Sequence, residues 1–124
     1  MLANTHTHSS GPFTIEETLY GSEVLVYSLA GELDLAVVEI ARAAIEPTIA
    51  DRSELIVIDL DRLEFIDSSG VALLYSLARS CPDPESLRLV PSRHGGVNRV
   101  LELTDVGSVI RIVSDRRLHE SAGR

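Results

Sequence analysis

The stretch ELIVIDLDRLEFIDSSGVALL, residues 54–74, decides the fold. It opens with a short run rich in β-branched residues, residues 54–60, which predicts a central strand. After a connector, the polar segment Asp67-Ser68-Ser69-Gly70 precedes apolar residues at helical spacing, which predict a helix over about residues 70–79. A strand, a polar turn and a helix in this order are typical of an α/β layer.

The same alternation continues toward the N-terminus. Residues 23–30 are apolar on both alternating faces, which predicts a strand covered on both sides, and Gly31 is expected to end it. Residues 35–50 carry an apolar stripe at helical spacing, with Asp34 placed to cap the helix. Pro47 is expected to kink or fray the last turn of this helix.

Toward the C-terminus, residues 87–90 and 109–113 predict strands, and residues 97–103 predict a helix between them. Residues 13–20 alternate weakly and suggest an opening edge strand. The fold class is therefore α/β: a single domain with a small, mostly parallel central sheet, an antiparallel edge strand and three to four packed helices.

The domain is expected to span residues 13–116. Residues 1–12 are mostly small and polar and are predicted to form a disordered tail, and residues 117–124 are predicted to form a C-terminal tail. The start of the chain has neither the basic nor the apolar region of a signal peptide, so none is expected.

Charge and cysteine content exclude several classes of function. Eleven Lys and Arg residues against 19 Asp and Glu give a net charge of −8, which argues against binding to nucleic acid or to an anionic membrane. No apolar run approaches the length of a membrane span. The single cysteine, Cys81, cannot form an internal disulfide, which favours a reducing compartment, the cytoplasm.

The segment from Asp67 to Gly70 is the strongest candidate site, because ligands and partners of α/β sheets collect where loops enter helices. A serine there is most often only a helix cap. The free amides and the helix dipole would also suit a phosphate, so nucleotide binding is one alternative. Gly70 is expected to leave the backbone beside Ser68 and Ser69 accessible.

A hydrolase built on Ser68 or Ser69 is a further alternative, but it needs a base, and the sequence does not have the G-x-S-x-G pattern. Of the histidines, His94 alone falls in a predicted loop of the folded body. No metal site is predicted, because the pair His6 and His8 has no cysteine or carboxylate companion at ligand spacing.

Two motifs together resemble one known family. Gly31-Glu32-Leu33-Asp34 follows a strand, and Asp67-Ser68-Ser69-Gly70 follows Phe65-Ile66, with one helix and one strand between them. This pair is similar to the STAS domain family, and within it to the bacterial anti-sigma-factor antagonists. Residues 98–107 look like the closing helix and turn of that family, and the resemblance covers about residues 13–113.

The resemblance implies a regulator that is not an enzyme and needs no cofactor. In the family, the unphosphorylated antagonist binds an anti-sigma factor that is also a serine kinase of the GHKL ATPase type, and this frees the sigma factor. Phosphorylation of one serine ends the binding, and a PP2C-type phosphatase restores it. By position, that serine is Ser68.

The same resemblance places partner contacts at Asp67, Ser69 and Gly70, and on the neighbouring loop at Asp34 and Glu32. Val71-Ala72 departs from the Leu-Gly that many members carry after the motif, which bears on partner identity more than on mechanism. The alternative within the family is a non-switching STAS module that binds proteins in a lipid-transport or signalling complex.

Overall fold

A computed structural model of the chain describes residues 3–51 and 55–113. The strands are β1 (Ala3–Ser10), β2 (Phe13–Tyr20), β3 (Val24–Leu33), β4 (Leu55–Ile66), β5 (Leu87–Val90) and β6 (Arg111–Ile112). The helices are α1 (Val38–Asp51), α2 (Ser68–Ser80) and α3 (Gly95–Leu103), with short 3-10 turns at Pro84–Ser86 and Val106–Ser108.

The six strands form one sheet in the order β1-β2-β3-β4-β5-β6. The pairs β1–β2 and β2–β3 are antiparallel, whereas β3, β4, β5 and β6 run parallel to one another. The predicted α/β class, with a mostly parallel sheet and an antiparallel edge strand, is confirmed. The edge strand is β1, however, and not residues 13–20, which pair with β1 on one side and β3 on the other. The described residues include no helix long and apolar enough to cross a membrane.

The two faces of the sheet differ in what packs on them. One face carries the main core, in which the buried side chains of the helices pack against the strands. The other face has a smaller buried cluster, formed by Val24, Val26, Val57 and Val90. Alternate residues of β3 therefore pack on opposite sides of the sheet, as its two apolar faces predicted.

The N-terminal segment corrects the sequence-based expectation. Residues 3–10 were predicted to be a disordered tail, and that prediction is wrong, because they form β1 and pair with β2 along its whole length. Gly11, with φ of +60°, stands in the two-residue connection of the hairpin. Thr5 to Ser9 are exposed, so the backbone ladder holds this strand without the apolar alternation that would reveal it. The predicted tail at residues 117–124 lies outside the described residues.

Gly31 does not end β3, contrary to the prediction. Its φ of +95° lets the strand continue to Leu33 across a shift in register with β4. A Cβ at this position would lie 2.7 Å from the carbonyl oxygen of Pro12, in the turn between β1 and β2. Glycine therefore permits both the backbone conformation and the close approach of the hairpin turn.

Two helix starts also differ from the prediction. Asp34 does cap the chain before α1: its Oδ1 accepts a hydrogen bond from the Ala36 amide at 3.0 Å. A turn intervenes, however, and α1 begins at Val38 rather than at residue 35. The helix also continues past Pro47 to Asp51, so its last turn does form. Helix α2 begins at Ser68, two residues earlier than predicted, and this changes the geometry of the candidate site.

Candidate functional site at the carboxyl ends of two strands

The two sequence motifs meet at the carboxyl ends of β3 and β4. These strands are parallel neighbours, and their last pair in register is Leu33 with Ile66. The Asp67 amide donates a hydrogen bond to the Leu33 carbonyl at 3.2 Å. Residues 31–35 and 65–70 thus form one structural unit, here called the motif junction.

Asp67, rather than a serine, caps helix α2. Its Oδ1 accepts hydrogen bonds from the Ser69 amide at 2.9 Å, the Gly70 amide at 3.2 Å and the Ser69 hydroxyl at 2.5 Å. The backbone of Asp67 is extended, as is usual for a residue that precedes the first helical turn. The expectation that a serine fills this role is therefore corrected, and both serines lie inside the helix.

These contacts favour the ionised form of Asp67. The hydrogen bond from the Ser69 hydroxyl is the largest effect that lowers the pKa of the Asp67 carboxyl, and partial burial opposes it. The amides of Gly70, Ser69 and Leu35 lower the same pKa further. The direct link between the two motifs is the hydrogen bond from the Asp67 amide to the Leu33 carbonyl.

Gly70 has a packing role that the sequence did not suggest. It was expected to leave the backbone around the serines accessible, but it is buried. A Cβ on Gly70 would lie 2.7 Å from Cγ1 of Ile66 and 2.9 Å from both Cγ and the carbonyl oxygen of Leu33. The missing side chain therefore lets α2 pack directly against the end of β3.

The two adjacent serines have different surroundings. Ser69 is half-buried and its hydroxyl donates to Asp67. Ser68 is exposed in the first turn of α2, and its hydroxyl has no hydrogen-bond partner within residues 3–51 and 55–113. Of the two hydroxyls, that of Ser68 is accordingly the one presented to solvent.

The remaining predicted residues lie on the same part of the surface. Glu32 is exposed and is the register neighbour of Phe65, and Asp34 is half-buried at the start of the following turn. Sequence reasoning missed two apolar side chains here: Leu35 is 76% exposed and Phe65 is 46% exposed. The sequence feature that could have revealed them is an apolar residue within two positions of each polar motif. A solvated turn would carry a polar residue there.

Comparison with known families identifies this arrangement. The model of the STAS domain family matches residues 17–119. The chain belongs to the STAS domain family.

Solved structures share the fold of this STAS domain. An anti-sigma factor antagonist from Mycobacterium paratuberculosis superposes with a TM-score of 0.74 at 22% sequence identity, covering 99% of this chain and 95% of that one. SpoIIAA in its unphosphorylated form gives a TM-score of 0.68 at 25% identity, covering 86% of this chain and 94% of that one. The Bacillus cell fate determinant SpoIIAA in its phosphorylated form gives a TM-score of 0.64 at 26% identity, covering 86% of this chain and 97% of that one.

The geometry of this STAS domain weighs against phosphate binding at the N-terminus of α2. The amides of Ser69 and Gly70, which would hold a nucleotide phosphate, already donate to the Asp67 carboxylate. An external phosphate would have to displace this internal anion.

The hydrolase alternative also lacks the contacts it needs. His94 is exposed at the start of α3, and neither serine of the motif hydrogen-bonds to a histidine within the described residues. Asp59 is only 4% exposed and accepts a hydrogen bond from the Asp61 amide at 3.0 Å. Asp61 in turn pairs with Arg93 at 2.6 Å, so these acidic groups fix the loop before α3.

Proposed function

We propose that this STAS domain is an anti-sigma-factor antagonist controlled by phosphorylation of Ser68. In its unphosphorylated form it binds a cytoplasmic anti-sigma factor, a serine kinase of the GHKL ATPase type, and so frees a sigma factor for transcription. Phosphorylation of Ser68 ends the binding, and a PP2C-type phosphatase restores it. The chain itself is a binding protein and not an enzyme.

The exposure of the Ser68 hydroxyl is the observation that carries this proposal. A kinase must reach the acceptor oxygen, and Ser68 is exposed without an internal hydrogen bond in the described part of the chain. Ser69 is a poorer acceptor, because its hydroxyl is engaged by Asp67 at 2.5 Å. The similarity to SpoIIAA, which exists in a phosphorylated form, supports phosphorylation as the means of control.

The position of Ser68 explains how a phosphate would change binding without unfolding the domain. Phosphorylation adds about −1.5 to −2 charges at neutral pH. The positive end of the α2 dipole offsets part of that charge. The amides of the first turn are already occupied by Asp67, however, so the phosphate would project outward beside a second anion. The effect therefore falls on the partner surface.

The surface around Ser68 suits a protein partner. Leu35 and Phe65 offer exposed apolar area, and Glu32 adds a negative charge beside them. Apolar side chains rimmed by charged groups are typical of the centre of a protein interface. A dianion on Ser68 would have to lose its water when this surface is covered, which lowers the affinity. A loss of about 1.4 kcal/mol in binding already corresponds to a tenfold weaker complex.

Phosphorylation by a GHKL-type anti-sigma factor kinase that captures the wild-type protein tests the site. With ATP, the wild-type protein and the matched control Ser69→Ala are each expected to gain one phosphate, and Ser68→Ala is expected to gain none. Intact-mass spectrometry measures the gain. Labelling of Ser68→Ala at the wild-type rate would show that the acceptor lies elsewhere.

Affinity for the same kinase, measured by calorimetry without ATP, tests the direction of the switch. Ser68→Ala is expected to bind about as well as the wild type, and Ser68→Asp at least tenfold more weakly. Tighter binding of Ser68→Asp would contradict the proposed sign, and no binding by the wild type would favour a non-switching STAS module.

A further inference from the structure

The outer edge of β1 is a second surface suited to contact with another chain. β1 is the first strand of the sheet, and within the described residues it pairs only with β2. Edge strands usually carry lysine, proline or a bulge that blocks pairing with other chains. The sequence of β1, ANTHTHSS, has no Lys, Arg, Asp, Glu or Pro, and its register with β2 is regular. Its eight residues therefore offer an unprotected backbone edge.

Two histidines stand on one face of this edge strand. His6 and His8 are two residues apart, so their side chains point to the same side of the sheet. In the register with β2 they lie opposite Glu17 and Ile15, respectively. Ile15 belongs to the core beneath the helices, so both imidazoles lie on the helix-bearing face. Both histidines are exposed.

One copy of the chain offers an incomplete set of metal ligands. Among residues 3–51 and 55–113, no three His, Cys, Asp or Glu side chains are grouped so that they could hold a metal ion. Two imidazoles on adjacent same-face positions still form half of a tetrahedral site, because zinc takes four ligands and commonly uses histidine nitrogen. A second copy would supply the other half.

We propose that β1 pairs antiparallel with β1 of a second copy about a two-fold axis at Thr7, and that the four histidines then bind Zn²⁺. In this register His6 lies opposite the second copy's His8, and His8 opposite its His6. Opposite side chains then have Cβ atoms roughly 4.5–5.5 Å apart. Successive residues on one face of a strand lie about 6.6–6.8 Å apart along the chain.

The two-fold arrangement explains the roles of the neighbouring residues. A closed symmetric pairing presents the same edge on both copies, so each histidine meets its counterpart without a second docking surface. Glu17 is the register partner of His6 on the same face of the sheet, and a carboxylate near a histidine ligand orients the ring and adds favourable charge. Thr7 falls on the axis and on the other face of the strand.

Sedimentation of the full-length protein with and without zinc tests this proposal. Zinc is expected to double the sedimenting mass at one metal ion per two chains, and EDTA is expected to reverse the change. The double variant His6→Ala/His8→Ala should remain a monomer with zinc. His94→Ala, which removes an exposed histidine from α3, should dimerise like the wild type.

Thr7→Lys separates the two-copy site from a site within one chain. It sets two lysines opposite each other at the axis, where like charges oppose pairing, and leaves both histidines in place. Dimerisation and zinc binding should then be lost together, with the unfolding free energy unchanged. Three results would each overturn the proposal. They are zinc binding by a monomeric Thr7→Lys protein, zinc-dependent dimers of the double histidine variant, and a wild type that binds no zinc.

Discussion

The motif junction and the edge strand β1 both carry several small polar residues, yet different forces hold the two regions in place. At the motif junction, side chains fix the backbone: one carboxylate accepts three hydrogen bonds from Ser69 and Gly70, and Gly70 is buried against Leu33. In β1 the residues from Thr5 to Ser9 are exposed, and the ladder to β2 fixes the strand. Substitutions should therefore lower the free energy of unfolding strongly at the motif junction and only slightly in β1.

The largest effects are expected where α2 meets the end of β3. Leu33→Ala should lower the free energy of unfolding by about 2–5 kcal/mol, because Leu33 is fully buried and the change leaves a cavity. Gly70→Ala should cost about 1–3 kcal/mol, because its Cβ would overlap Leu33 and Ile66. Urea denaturation measures both values.

The double variant Leu33→Ala/Gly70→Ala sharpens this prediction. Its cost should be less than the sum of the two single costs, because the shortened side chain removes one of the overlaps, that with Cγ of Leu33. Strict additivity, or a neutral Gly70→Ala, would show that the close packing seen here does not limit stability.

A smaller loss is expected from the cap. Asp67→Ala should lower the free energy of unfolding by about 0.5–2 kcal/mol at neutral pH, because it removes the acceptor for the first amides of α2. Asp67→Asn is the matched control, since asparagine caps helices about as well as aspartate but does not ionise.

The pH dependence of the same variants follows from the direction of the Asp67 pKa. Because folding lowers this pKa, the carboxylate contributes stability above the ordinary aspartate range. That contribution is lost as the pH falls through the pKa of the folded state. Acid should therefore destabilise the wild type more than Asp67→Asn, measured by urea denaturation between neutral and acid pH. Parallel pH profiles would show that Asp67 is not the titrating group.

The smallest effect is expected in β1. Thr5→Val removes the hydrogen bond between the hydroxyls of Thr5 and Thr18, 3.2 Å apart, on an exposed strand. The free energy of unfolding should change by no more than about 0.5 kcal/mol, as for most surface substitutions. A loss above 1 kcal/mol in urea denaturation would mean that side-chain contacts, and not the backbone ladder, hold β1 in place.

Much of the fold could be predicted, because its central elements carry their own pattern. β2 and β5 have the predicted bounds, and β4 and α2 lie where an apolar run and helical spacing predicted them. Some of the boundaries that differ are set by distant residues and others by neighbours in the chain. β3 passes Gly31 because β4 extends to pair with it, and Ser68 enters α2 because Asp67 caps the helix.

The residues of the candidate site could be predicted from the sequence, but their geometry could not. The six predicted residues do gather at one end of β3 and β4, and their role in partner binding stays a prediction. The hydrogen bond from the Asp67 amide to the Leu33 carbonyl, and the exposed side chains of Leu35 and Phe65, depend on the junction of two segments about thirty residues apart. No local pattern encodes such a contact.

The sequence by itself determined the α/β class, the order of the central elements and the motifs that mark the family, because hydrophobic periodicity and turn chemistry act over a few residues. Only the tertiary structure decided that residues 3–10 form a strand, that Gly70 is a packing residue, and that Ser68 rather than Ser69 presents a free hydroxyl to solvent within the described chain. The first two depend on which distant segment lies alongside, because backbone pairing and close packing are long-range effects that a short stretch of residues does not specify. The third depends on where α2 begins, because the Ser69 hydroxyl donates to Asp67, the residue that caps this helix.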